Sequence, residues 1–177
     1  MIVENTCIEG AYLLQNSYIE DERGYFLRIF DNKELEKYDL NFNLIQSNIN
    51  YNKEIGTLRG MHYQKYPYPE IKIVRCLKGR IFDVIADIRK DSPTYGKYSS
   101  IELSEENGKM AYIPPYVAHG FQTLEDDTIV AYFLSTYFVP DAYGYLRWDD
   151  PSFNIKWPEC ENRIISEKDK NIPDFIF

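Results

Sequence analysis

The chain has 177 residues, 44% of them hydrophobic, which suits one globular domain over 1–177 with a sizeable core. A net charge of −8 argues against a nucleic-acid or bilayer partner, since both select basic surfaces. Three scattered cysteines without CxxC spacing, no basic-then-apolar leader and no apolar run of about 20 residues predict reduced thiols in a cytoplasmic protein without a membrane span.

In chain order, β-rich stretches are expected at 11–19, 24–30, 43–50, 71–77, 81–88, 98–103, 110–113 and 128–138. The clearest is 81–88, where Phe82, Val84, Ala86 and Ile88 share one face and Asp83 and Asp87 the other. Turn-forming clusters separate these stretches: DERG at 21–24, LKGR at 77–80, DSPTYG at 91–96, EENG at 105–108 and Pro114-Pro115. One short helix is expected over Asn32 to Tyr38, capped by Asp31 or Asn32, and the tail from Ser152 should wrap the body as loops with a short turn. Many short strands at this spacing predict an all-β antiparallel sandwich, barrel or jelly roll. Sixteen tyrosines and ten phenylalanines favour strands and also provide flat surfaces for ligand rings.

Only two histidines are present, His62 within LRGMHYQ (58–64) and His119 within IPPYVAHGF (113–121). A lone His in a β-rich chain is more often structural than catalytic. Two cannot furnish a metal site of three imidazoles and a carboxylate, so neither metal nor cofactor is expected. Imidazole near neutral pH suits general acid–base work, which needs an orienting carboxylate, a cation for a developing oxyanion and an acid for reprotonation. Arg59, Lys72 and the tyrosines of 132–145 are the residue types at hand, although Arg59 and Lys72 read equally well as a solvated strand face.

Ordered motifs along nearly the whole chain resemble the dTDP-4-dehydrorhamnose 3,5-epimerase family. They are DERGYF (21–26), QSN (46–48), LRGMHYQ (58–64), Lys72 to Cys76 and Gly79 to Arg89 running into DSPTYG. IPPYVAHGF, RWDDP (147–151), IKWP (155–158) and SEKD (166–169) follow. The resemblance implies an antiparallel jelly-roll (cupin) barrel with short peripheral helices, forming a homodimer, and proton transfer without metal. It implies that His62 removes protons alpha to the 4-keto group of a nucleotide-diphosphate sugar and that Asp169 orients its imidazole. Lys72, with Arg59 nearby, would stabilise the enolate, and Tyr132 would return a proton on the opposite ring face. It further implies substrate-holding roles for Arg23, Phe26, Gln46, Asn48, His119 and Lys168.

Three positions depart from the family's usual pattern: Arg28 stands where a Glu is common, Phe138 where a Tyr stacks on the base, and Tyr143 where an acid follows Pro140. Phe138 can still stack. Arg28 offers donors in place of acceptors, so it either reads a different base, as in a CDP or GDP sugar, or points outward. An enzyme inverting one carbon, a related ketoisomerase, a binding module without catalysis and a metal-dependent oxygenase are the competing readings. The full set His62, Lys72, Tyr132 and Asp169 argues against a mere binder, and the shortage of histidine against the oxygenase.

Overall fold

Short alternating segments and frequent turns give an antiparallel β fold in the computed structural model, which describes residues 1–176. The strands are β1 (Ile2–Asn5), β2 (Tyr12–Gln15), β3 (Ile19–Asp21), β4 (Gly24–Phe26), β5 (Gln46–Asn52), β6 (Thr57–Gln64) and β7 (Lys72–Lys78). They continue as β8 (Arg80–Asp87), β9 (Tyr98–Ser104), β10 (Lys109–Ile113), β11 (Val117–Thr123), β12 (Thr128–Leu134), β13 (Tyr143–Tyr145) and β14 (Ile164–Ile165). Helix is limited to α1 (Asn32–Glu36), α2 (Glu167–Lys170) and a 3-10 turn at Pro140–Ala142. Asp31 caps α1 by accepting from the Lys33 N–H at 3.0 Å.

One six-stranded sheet runs β1-β2-β10-β7-β12-β5; the facing sheet runs β13-β6-β11-β8-β9, with β14 added to β6 in parallel. β3 and β4 form a separate ribbon. Side chains from both inner faces make the central core, including Val74, Cys76, Ile81, Ile85, Leu103, Phe121 and Val130. Two further apolar layers cover the outer faces. On one side α1 and its loop bring Leu35, Leu40 and Phe42 onto Leu14, Ile73 and Met110. On the other, the C-terminal tail lays Phe153 and Ile155 over Met61, Val84 and Ala118. Covering both sheets leaves the ends of the sandwich as the places where a cleft can open.

Most expected strands occur, shifted by a few residues, but three expectations change. The stretch 11–19 breaks at 16–18, because β2 pairs in the large sheet while β3 belongs to the ribbon. The stretch 128–138 ends at Leu134, after which the chain turns away towards the 3-10 segment. β1, β6, β11, β13 and β14 were not among the expected strands. β11 lies between β6 and β8 and is buried throughout, so it shows no period-two alternation. The Asp face of β8 is not solvated: Asp83 and Asp87 are 1% and 0% exposed and point into the protein.

Candidate active site

Between the sheets lies a cleft of about 760 Å³ walled by β5, β6, β7, β11 and β12 and closed by the segment 164–169. β5 contributes alternate residues Gln46, Asn48 and Asn50, as strand geometry requires of one face. His62 on β6 and His119 on β11 are cross-strand partners, so both imidazoles reach the same space. At the register shift beside His119, Gly60 and Gly120 let the two strands approach closely. Gly60 has φ +123°, and a Cβ there would sit 2.5 Å from Gly120 Cα, so only glycine fits.

Each histidine has its own carboxylate. His62 Nε2 lies 2.8 Å from Asp169 Oδ1, and His119 Nε2 lies 2.7 Å from Asp83 Oδ1. A carboxylate can only accept, so Nε2–H donates to Asp169 and the lone pair of His62 resides on Nδ1. β14 anchors the approach of Asp169 by pairing with Thr57 and Leu58; Ser166 then caps α2, accepting from the Asp169 N–H at 3.1 Å. Burial acts to raise the Asp169 carboxyl. Hydrogen bonds from His62, Ser166 and the Gly60 N–H outweigh it, and the group is held below the usual carboxylate range. Asp169 is therefore a fixed anion at neutral pH.

Tyr132 stands on β12, in the sheet opposite His62, with its hydroxyl accepting from Asn50 Nδ2 at 3.0 Å. Burial, the dominant influence, pushes its phenol far above the ordinary value, so it keeps its proton. His62 and Tyr132 thus stand on opposite walls.

Lys72 on β7 points its Nζ to 3.1 Å from Glu70 Oε1 and 3.5 Å from the His62 carbonyl oxygen. Arg59 donates from Nε to Asn52 Oδ1 at 2.7 Å, while Lys168 donates to the Tyr145 hydroxyl and lies over that ring. Arg59, Lys72 and Lys168 make a local cationic lining in a protein of net charge −8. Tyr143 and Tyr145 flank the His62 ring at 5.3 and 5.4 Å. Burial, reinforced by Glu70 and other anionic neighbours, raises the Tyr143 phenol. Phe138 is half exposed at the mouth, its N–H donating to Gln46 Oε1 at 3.3 Å and its ring 5.0 Å from Tyr143.

The structure therefore gathers His62, Asp169, Tyr132, Lys72, Gln46, Asn48, Arg59, His119, Phe138, Tyr143 and Lys168 around one cleft. Arg23, Phe26 and Arg28 lie outside it. Arg23 is exposed and pairs with Asp21 at 2.5 Å, Phe26 is exposed on the ribbon, and Arg28 pairs with Asp31 at 2.9 Å. Sequence reasoning missed Asp83, Asn50 and Glu70, and reached Tyr145 only as one of the tyrosines of 132–145. Asp83 was visible as the polar member of an alternating strand, but nothing in its spacing pointed to His119. Among the described residues no group of three or more His, Cys, Asp or Glu could hold a metal ion, and no helix is long and apolar enough to cross a membrane.

A family model described as dTDP-4-dehydrorhamnose 3,5-epimerase matches residues 5–176. The chain belongs to the dTDP-4-dehydrorhamnose 3,5-epimerase family. The family's enzyme from Sinorhizobium fredii is 39% identical over 173 residues, spanning 98% of this chain and 89% of the relative. The crystal structure of the Bacillus anthracis epimerase with TDP and pyrophosphate bound superposes with a TM-score of 0.94 at 36% identity, over 98% of this chain and 99% of that one. The Legionella pneumophila enzyme in complex with dTDP-4-keto-L-rhamnose gives 0.90 at 34% identity, over 95% and 89%. The antiparallel cupin jelly roll expected of this epimerase family is the fold observed.

Proposed function

We propose that this protein inverts carbons 3 and 5 of dTDP-4-dehydro-6-deoxyglucose to give dTDP-4-dehydrorhamnose. The observation that carries the reading is the His62–Asp169 pair facing Tyr132 across the cleft. A hydrogen beside a ketone becomes removable when the enolate oxygen meets preorganised positive charge. His62 Nδ1 takes that proton, the Asp169 anion stabilises the imidazolium, and Lys72 faces the oxygen on C4. Tyr132 then delivers a proton from the opposite wall, which inverts the centre. His119, its Nε2–H held by Asp83, turns Nδ1 to the substrate. Arg59 and Lys168 suit the diphosphate, and Phe138 the base. These steps require only side chains of the cleft.

The charge of Arg28 is already matched by Asp31, which weakens the case for another nucleotide base. The working form is proposed to be a homodimer. Ile19, Tyr25 and Phe26 of the ribbon are exposed together, and β5 is an edge strand with Ile49 and Tyr51 exposed. Apolar side chains on a ribbon and an open edge suit a second copy of the chain. That copy would give Arg23 and Phe26 a route to a partner's cleft. The three free thiols suit a reducing cytoplasm.

The test is solvent exchange: wild type in deuterium oxide with dTDP-4-dehydro-6-deoxyglucose should take up deuterium at C3 and C5, and His62→Ala should take up none. Uptake at one carbon only would replace the double epimerase by a single one.

A further inference from the structure

Glu70 has no role in the chemistry above, yet it sits on the wall of the cleft two residues before Lys72. Its side chain is 4% exposed, and Oε1 stands 3.1 Å from Lys72 Nζ. Oε1 is sealed from water beside Lys72, so a ligand can meet Glu70 only through the small part of its side chain still exposed on the cleft wall. A carboxylate has about four lone-pair sites, and buried polar groups normally fill theirs. Lys72 balances the charge of Glu70 at Oε1, and among the described residues the other carboxylate oxygen is left for a further donor. Such a group facing a ligand cleft is an acceptor waiting for a donor.

We propose that Glu70 is a specificity-determining residue that accepts a hydrogen bond from the substrate hydroxyl next to the ketone. The inference rests on the reading that Lys72 faces the oxygen on C4. Oxygens on adjacent ring carbons lie about one hydrogen-bond length apart. A carboxylate 3.1 Å from Lys72 Nζ is therefore placed beside the substituent neighbouring the oxygen that Lys72 holds. C4 of a 4-keto-6-deoxyhexose has two ring neighbours: C3 carries a hydroxyl, C5 a methyl. Only the hydroxyl can donate to Glu70. A methyl turned the same way would leave the carboxylate desolvated and unfilled. Glu70 thus sets which way round the ring lies, with C3 towards it and C5 away. The same bond explains why an anion is tolerated beside the cation that serves the enolate. Donation from the C3 hydroxyl disperses the charge of Glu70 and leaves more of the Lys72 field for the C4 oxygen.

The experiment compares deuterium uptake at C5 from dTDP-4-dehydro-6-deoxyglucose and from its 3-deoxy counterpart, in wild type, Glu70→Gln and Glu70→Ala. C5 is the right reporter because both compounds carry a hydrogen there. Wild type should prefer the hydroxylated substrate about tenfold to a hundredfold in kcat/KM, the range of one charge-assisted hydrogen bond. Glu70→Gln keeps a carbonyl acceptor of the same shape and should retain part of that preference. Glu70→Ala should bring the ratio close to one, by slowing the hydroxylated substrate and sparing the other. Equal slowing of both substrates by Glu70→Ala would show that Glu70 only holds Lys72, and would overturn the proposal. So would a wild type that does not discriminate. A wild type that exchanges nothing from the hydroxylated substrate would overturn the epimerase reading itself, and this proposal with it.

Discussion

Replacing Asp169 by Asn tests the base at its weakest point, because the change is isosteric and removes one charge. Asp169 serves three donors, His62 Nε2–H at 2.8 Å, the Ser166 hydroxyl and the Gly60 N–H. An amide has one acceptor oxygen where the carboxylate has two, so it cannot serve donors on both sides. If the oxygen goes to Gly60, the NH2 faces Nε2, the imidazole proton moves to Nδ1, and the lone pair facing substrate is lost. If the oxygen goes to His62, the tautomer survives but the imidazolium loses its anionic partner. For charge centres ~4 Å apart at an effective dielectric near 20, that partner is worth about 4 kcal/mol. At about 1.4 kcal/mol per decade the rate of C–H removal should fall by about three orders of magnitude in either arrangement. The assay is the initial rate of deuterium uptake at C3 and C5, with KM measured alongside and a thermal melt to establish that the variant is folded. KM should change by no more than a few fold, since Asp169 touches the imidazole and not the ligand. A loss in kcat of less than tenfold would refute the assignment of Asp169 as the partner of the base.

Three further outcomes are expected. Tyr132→Phe should lower net inversion by about a hundredfold while leaving deuterium washed in by His62, because only the acid of the opposite wall is removed; equal loss of exchange and inversion would place Tyr132 elsewhere in the reaction. Since burial keeps the Tyr132 phenol protonated, the activity of wild type should also show no alkaline limb from that group up to about pH 10. Gly60→Ala forces a Cβ to within 2.5 Å of Gly120 Cα at φ +123° and should cost about 3–5 kcal/mol in urea denaturation, with activity lost at temperatures where the fold survives. Asp87 is buried, which acts to raise its carboxyl, but Arg89, Ser92 and Thr94 donate to it and bring it down to about 2. A depressed folded pKa means stability present above the unfolded value near 3.8 and lost as pH falls from there towards about 2. The stability gap between wild type and Asp87→Asn should therefore shrink by roughly 2 kcal/mol over that window, read by denaturant midpoints at each pH.

What could be read from the residues, and what could not, follows from how each element is held. β8 announced itself because one face alternates cleanly, and α1 because Asp31 precedes a short amphipathic run capped by its side chain. β11 carried no such signature: all seven residues are buried, and the reasons differ, apolar packing for Val117 and Phe121, an ion pair for His119. Arg28 could not be placed from its neighbours in sequence, because the choice between a ligand and Asp31 is decided by where the chain turns after β4. Motif likeness named both partners of the His62–Asp169 pair across 107 positions, which no periodicity could have done.

Glu70 shows the opposite failure. It lies in Pro-Tyr-Pro-Glu, a stretch that reads as a polar turn, and a glutamate in a turn is ordinarily solvated. Its burial depends on β7 starting two residues later and on Tyr143 arriving from β13, some 70 positions away. Where the family's pattern led to expect an acid after Pro140, the chain has Tyr143, and the structure brings a carboxylate to the same corner of the cleft from Glu70. A carboxylate that reaches this corner from the segment before β7 meets a different atom of a ligand than one carried on β13 would. Charge conservation is therefore a poor guide to specificity here: two related sites with equal net charge can hold the same ketone and still differ in which substituent beside it they accept.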